Sequence, residues 1–196
     1  MIDHDDDSAE FEQFIPLDSP QSRSAAKTLK ISELRQRITH RAVSYLSRRE
    51  YSQTELKRKL QLAFIEYEWP VNDEFTSLDQ LIDVVLQYLA HNNWQSDQRF
   101  ATQVSKVKGE RYGTARVKKT LNQQGLAKEL IDATVADLAQ TELQRAHAVW
   151  QKKFGEPPSN AKEYAKQTRF MAYRGFSFDI IKQVIRGDAD LMDESL

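Results

Sequence analysis

The 196-residue chain contains no cysteine. That excludes disulfides, thiolate catalysis and cysteine-based zinc sites, and it suits a reducing compartment. Glycine occurs six times and proline five, too few for a loop-rich or strand-turn-strand architecture. With abundant Leu, Ala, Gln, Lys, Arg and Glu, the composition favours helix throughout. No apolar run approaches the length of about 18 residues that a membrane span needs. The first residues lack a basic stretch followed by an apolar core, so no secretory signal is expected and the protein is expected in the cytoplasm. Phosphate-binding glycine patterns are missing too, both G-x-G-x-x-G and G-x-x-x-x-G-K-[ST]. The four histidines, His4, His40, His91 and His147, stand apart from one another. No metal site, cofactor or catalytic group is therefore expected, and neither is an enzyme.

Charge is present in both signs but unevenly placed. The formal net charge of −1 comes from 28 Lys and Arg against 29 Asp and Glu. Residues 1–22 hold seven of those acids (Asp3, Asp5, Asp6, Asp7, Glu10, Glu12 and Asp18) and no Lys or Arg. Residues 188–196 hold four more, Asp188, Asp190, Asp193 and Glu194, again without a base. The body from 23 to 187 keeps all 28 bases and the 18 remaining acids, a net of +10. A basic body between acidic ends belongs to a chain that handles polyanions or competes with them. The N-terminal end, residues 1–30, has no periodicity and reads as a disordered acidic tail. Within it, Phe11, Phe14, Ile15 and Leu17 form an apolar cluster suited either to docking on a partner or to folding back on the basic body. His4 among its neighbouring aspartates suits a solvated acidic tail better than a metal site.

The densest positive charge lies between Arg99 and Lys119. Seven cations, Arg99, Lys106, Lys108, Arg111, Arg116, Lys118 and Lys119, face one acid, Glu110. The spacing predicts two short helices. Phe100, Val104 and Val107 form the inward stripe of the first, and Val117 and Leu121 that of the second. Gly109 is expected as a left-handed C′ stop and Gly125 as the next stop. The corner between them, Tyr112-Gly113, has counterparts at Tyr51-Ser52 and Phe176-Ser177, each followed by apolar residues four and eight positions after the small residue. The three aromatics are 61 and 64 residues apart, which predicts a helix–corner–helix unit written three times.

Other helices follow from the same periodicity. Leu34, Ile38, Val43, Tyr45 and Leu46 mark the opening helix. Ser52 and Glu55 predict a capping box at the start of the second, with Leu56 and Leu60 facing the core. After a loop beyond Trp69-Pro70, Ser77 and Gln80 cap a helix carrying Leu78, Leu81, Ile82, Val85 and Leu89. Leu130, Ile131, Val135 and Leu138 form another. Three more follow: one from Leu143 to Phe154, one from about Ser159 to Arg174, and one from Ser177 to Arg186 closed by Gly187. The expected fold is all-α, with three tandem three-helix repeat units forming an elongated, curved array. Its expected divisions are an acidic tail at 1–30, units at 31–95, 96–139 and 140–187, and a second acidic tail at 188–196.

The chain resembles the RecX family, small bacterial regulators of the RecA recombinase. The resemblance is carried by AVSYLSRREYSQTELKRKL (Ala42 to Leu60), by Trp94, DQRFA (Asp97 to Ala101), Arg111-Tyr112-Gly113, Leu121 and Gly125, and by Arg169-Phe170, Arg174-Gly175-Phe176-Ser177, Ile180 and Ile181. It covers roughly residues 38–187 and leaves out the acidic N-terminus and the segment from Phe64 to Ser77. It implies a monomeric, non-enzymatic regulator whose partner is the RecA filament on single-stranded DNA, restraining strand exchange and ATP hydrolysis in recombination, repair and the SOS response. Direct DNA contact is a further implied possibility. The partner-facing candidates are Arg99, Lys106, Lys108, Arg111, Arg116, Lys118, Lys119, Arg169, Arg174 and Lys182. Tyr51, Ser52, Tyr112, Gly113, Phe176 and Ser177 are assigned to structural corners. Two other readings stay open on the residues alone: a helical module binding single-stranded DNA without RecA, and an adaptor whose basic faces serve solubility.

Overall fold

The computed structural model describes residues 30–67, 75 and 77–186. The expectations for both acidic tails, the Trp69-Pro70 loop and Gly187 fall outside those residues. Among the described residues the chain forms nine α-helices and no strand: α1 (Ile31–Leu46), α2 (Gln53–Phe64), α3 (Leu78–His91), α4 (Asp97–Gly109), α5 (Thr114–Gln123), α6 (Lys128–Ala139), α7 (Glu142–Lys153), α8 (Ala161–Tyr173) and α9 (Phe178–Arg186). They pack in threes, α1 with α2 and α3, α4 with α5 and α6, α7 with α8 and α9. The result is the expected tandem of three-helix units.

Each unit closes on its own apolar core. The first is the largest, with Leu34, Ile38 and Ala42 of α1 against Leu56, Leu60 and Phe64 of α2 and Leu81, Ile82, Val85, Leu86 and Leu89 of α3. The third gathers Ala146, Trp150, Met171, Phe176, Ile181, Val184 and Ile185. Trp150 is pinned there by its indole N–H, which donates to Gln167 Oε1 at 2.8 Å. The second is thin: Phe100, Ala101, Val117, Leu121, Leu126 and Ile131. So few buried side chains stabilise three helices weakly, which makes the second unit dependent on its neighbours. Leu56, Leu121 and Ile181 are each fully buried, one per core. Truncating any of them to alanine is expected to lower stability by about 2–5 kcal/mol, read as a shift of the urea midpoint at unchanged slope.

The starts of α2, α3, α4 and α8 are capped by Ser52, Ser77, Ser96 and Asn160, whose side-chain oxygens accept from the backbone N–H three residues on. At Ser52 the expected box is only half made. Its hydroxyl oxygen accepts from Glu55 N at 3.0 Å. The Glu55 carboxylate turns instead to the Arg49 guanidinium, with bonds of 2.5 and 3.2 Å. A 7% exposed carboxylate gains more from a bidentate cation than from one backbone donor.

Two expectations about α4 are corrected. Val107 is 59% exposed and does not line the core. The buried residues of α4 are Phe100, Ala101 and Gly109. Val107 points within about 20° of Phe100 at 100° per residue, but two turns further on it faces an open groove rather than the core. Gly109 is not a left-handed stop. It ends the helix in helical conformation, buried where a Cβ would lie 3.0 Å from Leu138 Cδ1. It is small for the sake of packing.

The third corner is also corrected. Tyr51-Ser52 joins α1 to α2 and Tyr112-Gly113 joins α4 to α5, the first and second helices of their units. Phe176-Ser177 joins α8 to α9, the second and third. Its counterpart is Gly125-Leu126-Ala127, between α5 and α6. In both, a glycine with positive φ (70° at Gly125, 86° at Gly175) ends the helix. The next residue then bonds five back, Leu126 N to Leu121 O and Phe176 N to Met171 O. That is the Schellman closure, with a buried apolar residue after the glycine. The 64-residue spacing was therefore one helix out of phase.

Candidate partner interface

The helix corners do more than reverse the chain, because each docks on the next unit. The α1–α2 corner meets the α5–α6 turn: Ser52 Oγ donates to Gln124 O at 2.8 Å and Thr54 Oγ1 to Gly125 O at 3.4 Å. The α4–α5 corner meets the α8–α9 turn in the same way, with Gly113 N donating to Arg174 O at 2.9 Å. At this second junction the serine hydroxyl is replaced by the glycine backbone, so the two backbone segments bond directly. Gly113 offers no side-chain cap to α5. The third unit supplies one: Glu142 Oε1, on buried Glu142 of α7, accepts from Thr114 N at 2.9 Å.

Close docking at the second junction brings cations from two units together. Tyr112 is 8% exposed. The Arg116 guanidinium lies 4.3 Å from its ring centroid, that of Arg174 5.2 Å, and the Lys108 ammonium 5.8 Å. Arg116 also lies 5.1 Å from the exposed ring of Tyr173 and donates to Tyr173 O at 3.1 Å. Arg174 lies 5.1 Å from Phe170. Three like charges repel, and each aromatic face offsets that by about 0.5–1 kcal/mol per cation at exposed sites. What remains is a positive potential concentrated along one edge.

Arg145 supports this edge from beneath. From α7 it donates to five acceptors: Gly109 O and Tyr112 O at 2.8 Å, Leu138 O at 2.9 Å, Thr141 Oγ1 at 3.2 Å and Thr114 Oγ1 at 3.3 Å. Burial pushes its pKa down from the ordinary arginine value, and the neighbouring Glu142 charge opposes that shift. It satisfies carbonyls at the end of α4, where no helical donors follow. Arg145→Lys is expected to destabilise by about 2 kcal/mol in urea unfolding, because an ammonium cannot reproduce a planar fork on five acceptors. Retention of parental stability would contradict that role.

The ten candidate cations do not form one face. Lys108, Arg116 and Arg174 meet around Tyr112, and Arg111 stands on the same corner, exposed. Arg99 is turned to internal use: its Nε donates to Glu50 Oε1 at 2.7 Å and its Nη2 to Trp94 O at 3.1 Å, tying α4 to the first corner. Lys118 pairs with Asp132 of α6 at 3.2 Å. Along α5, Arg116 and Lys118 lie on opposite flanks and Lys119 points away from the core, as 100° steps require. Lys106, Lys119, Arg169 and Lys182 are exposed. Arg49 and Arg145 were missed from the sequence. Arg49 stands two residues before Tyr51 and lies 3.8 Å over its ring, a proximity the sequence displays. Arg145 gave no signal, since its partners other than Leu138 and Thr141 lie 31–36 residues upstream.

The regulatory protein RecX of Ralstonia nicotianae is 39% identical over 154 residues, 79% of this chain and 89% of the relative. The chain belongs to the RecX family. RecX of Chromobacterium violaceum is 39% identical over 150 residues, 76% of this chain and 90% of its own. That of Neisseria gonorrhoeae is 36% identical over 146 residues, 74% and 87%. The family model for the third three-helix domain of RecX matches residues 140–185. The crystal structure of RecX from Lactobacillus salivarius superposes with a TM-score of 0.63 at 17% identity, covering 82% of this chain and 99% of that one. It shares the fold. These relatives carry the name of regulatory proteins rather than of enzymes, so the RecX family assignment gives the chain a regulatory role. Among the described residues no helix is long and apolar enough to cross a membrane.

Proposed function

We propose that the protein binds the RecA filament on single-stranded DNA as a cytoplasmic monomer and restrains its ATP hydrolysis, strand exchange and growth. Membership of a family of regulators supports the role. The observation that carries the contact is the gathering of Lys108, Arg116 and Arg174 from two successive units within about 6 Å of one buried tyrosine ring. A tandem array presenting cations at a unit junction suits a repeating, negatively charged partner, where modest contacts gain from effective concentration. The test is inhibition of RecA-driven ATP hydrolysis and strand exchange, expected at amounts well below one per DNA-bound protomer. If inhibition instead requires saturation of free single-stranded DNA, with a salt slope of many phosphates and no preference for the filament, competition for DNA replaces this reading.

A further inference from the structure

Between the first corner and the α4–α5 hairpin lies a groove of about 330 Å³. Phe100, Val104 and Val107 line its apolar side, and Lys108, Arg111 and Arg116 stand along it. Val107 is 59% exposed there. The groove's two carboxylates already face cations, Glu55 against Arg49 and Glu50 against Arg99. Arg111 and Arg116 stand beside those pairs, so among the described residues at the groove four arginines meet two acids. An occupant must therefore combine apolar side chains with negative charge, and the volume holds one or two large side chains rather than a folded domain.

The chain itself contains such a segment. Residues 1–22 carry seven acids and no Lys or Arg, with Phe11, Phe14, Ile15 and Leu17 among them. Reach is sufficient. The sixteen residues of α1 span about 24 Å and end at the corner that borders the groove. The thirteen residues from Leu17 to Lys30 can extend roughly 43–47 Å. We propose that the Phe11–Leu17 segment docks in this groove of its own chain, with its apolar side chains against Val104 and Val107, and with Glu12, flanked by Glu10 and Asp18, at Arg111 and Arg116. Tethering gives the segment an effective concentration on the order of millimolar, so weak contacts suffice. Resting on the function proposed above, the docked segment covers cations that the negative partner would use and acts as a built-in competitor.

The absence of cysteine allows a direct test on the full chain. A nitroxide attached at Gln13→Cys should broaden amide signals of residues 103–111 and 116–124 several-fold more than those of α3 or the start of α8. Val107→Asp, a surface change, should abolish that selectivity, and so should replacing Phe11, Phe14, Ile15 and Leu17 by serine. Raising salt from 0.1 to 1 M should weaken it as the Debye length falls from about 10 to about 3 Å. No broadening, uniform broadening, a different surface, persistence in Val107→Asp, or disappearance on dilution (the segment of a second copy) would each overturn the proposal. Neither recombinase nor DNA is present, so this test can fail without touching the function proposed above.

Discussion

Replacing Gly113 by alanine is expected to lower stability by about 3 kcal/mol or more, combining a backbone clash with a lost junction hydrogen bond. The reason is proximity rather than conformation, since φ at Gly113 is −70°. A Cβ there would lie inside the contact distance of Gly175 C and O and of Phe176 N, all backbone atoms. No side chain can swing aside to relieve it. Relief requires the second and third units to separate, which breaks the Gly113 N to Arg174 O bond and carries the Glu142 cap away from Thr114. Because the second core is thin, hydrogen exchange should show loss of protection across α5, with α3 in the first core unchanged. Gly155 supplies the contrast. Its φ is +72°, but a Cβ would meet nothing closer than 3.5 Å. Alanine there should cost only about 1–2 kcal/mol of left-handed strain. Equal stability of Gly113→Ala and the parent would show that the junction is not close-packed.

Lys108→Glu with Arg111→Glu is expected to weaken filament binding by an order of magnitude or more at low salt, about 1.4 kcal/mol per tenfold. Each substitution moves two units of charge, so attraction along the Tyr112 edge becomes repulsion. Arg111 is exposed and Lys108 half-buried, and the urea midpoint serves to confirm that the variant is folded. The loss should shrink as salt rises, through shortening of the Debye length. Lys152→Glu with Lys162→Glu makes the same change in net charge at the opposite ends of α7 and α8, about 15–18 Å along their axes from the corner. That pair should bind as the parent does. If both pairs weaken binding equally, the effect is one of net charge and the edge has no special part. If neither does, the basic edge is a solvated surface.

The helices were legible in the sequence because amphipathic periodicity is a local property. Leu56 and Leu60, Val117 and Leu121, and Ile181 and Ile185 recur at helical spacing because one side of each helix must leave water, and all six are buried. Serine caps and sparse glycine marked the helix ends for the same reason. The identity of the family followed from the order of those local patterns.

Position along the array was less legible. A helix corner and a Schellman turn both present an aromatic or apolar residue beside a small one, so Phe176-Ser177 could be laid over Tyr112-Gly113. Only packing separates the two. Tyr112 follows a helix end and precedes a start capped only from the third unit, while Phe176 follows a left-handed glycine. Likewise, charge density identified the stretch from Arg99 to Lys119, but each cation's orientation was fixed by partners distant in sequence. Glu50 claimed Arg99 across 49 residues, and Asp132 claimed Lys118 across 14. Tyr173 O drew in Arg116 across 57. Composition and periodicity by themselves determined an all-helical repeat protein with a basic body, since those depend on each residue's own chemistry and its near neighbours. Which cations share a surface, and why Gly113 has no side chain, was decided only when the second unit docked on the third, because that contact joins backbone atoms some sixty residues apart.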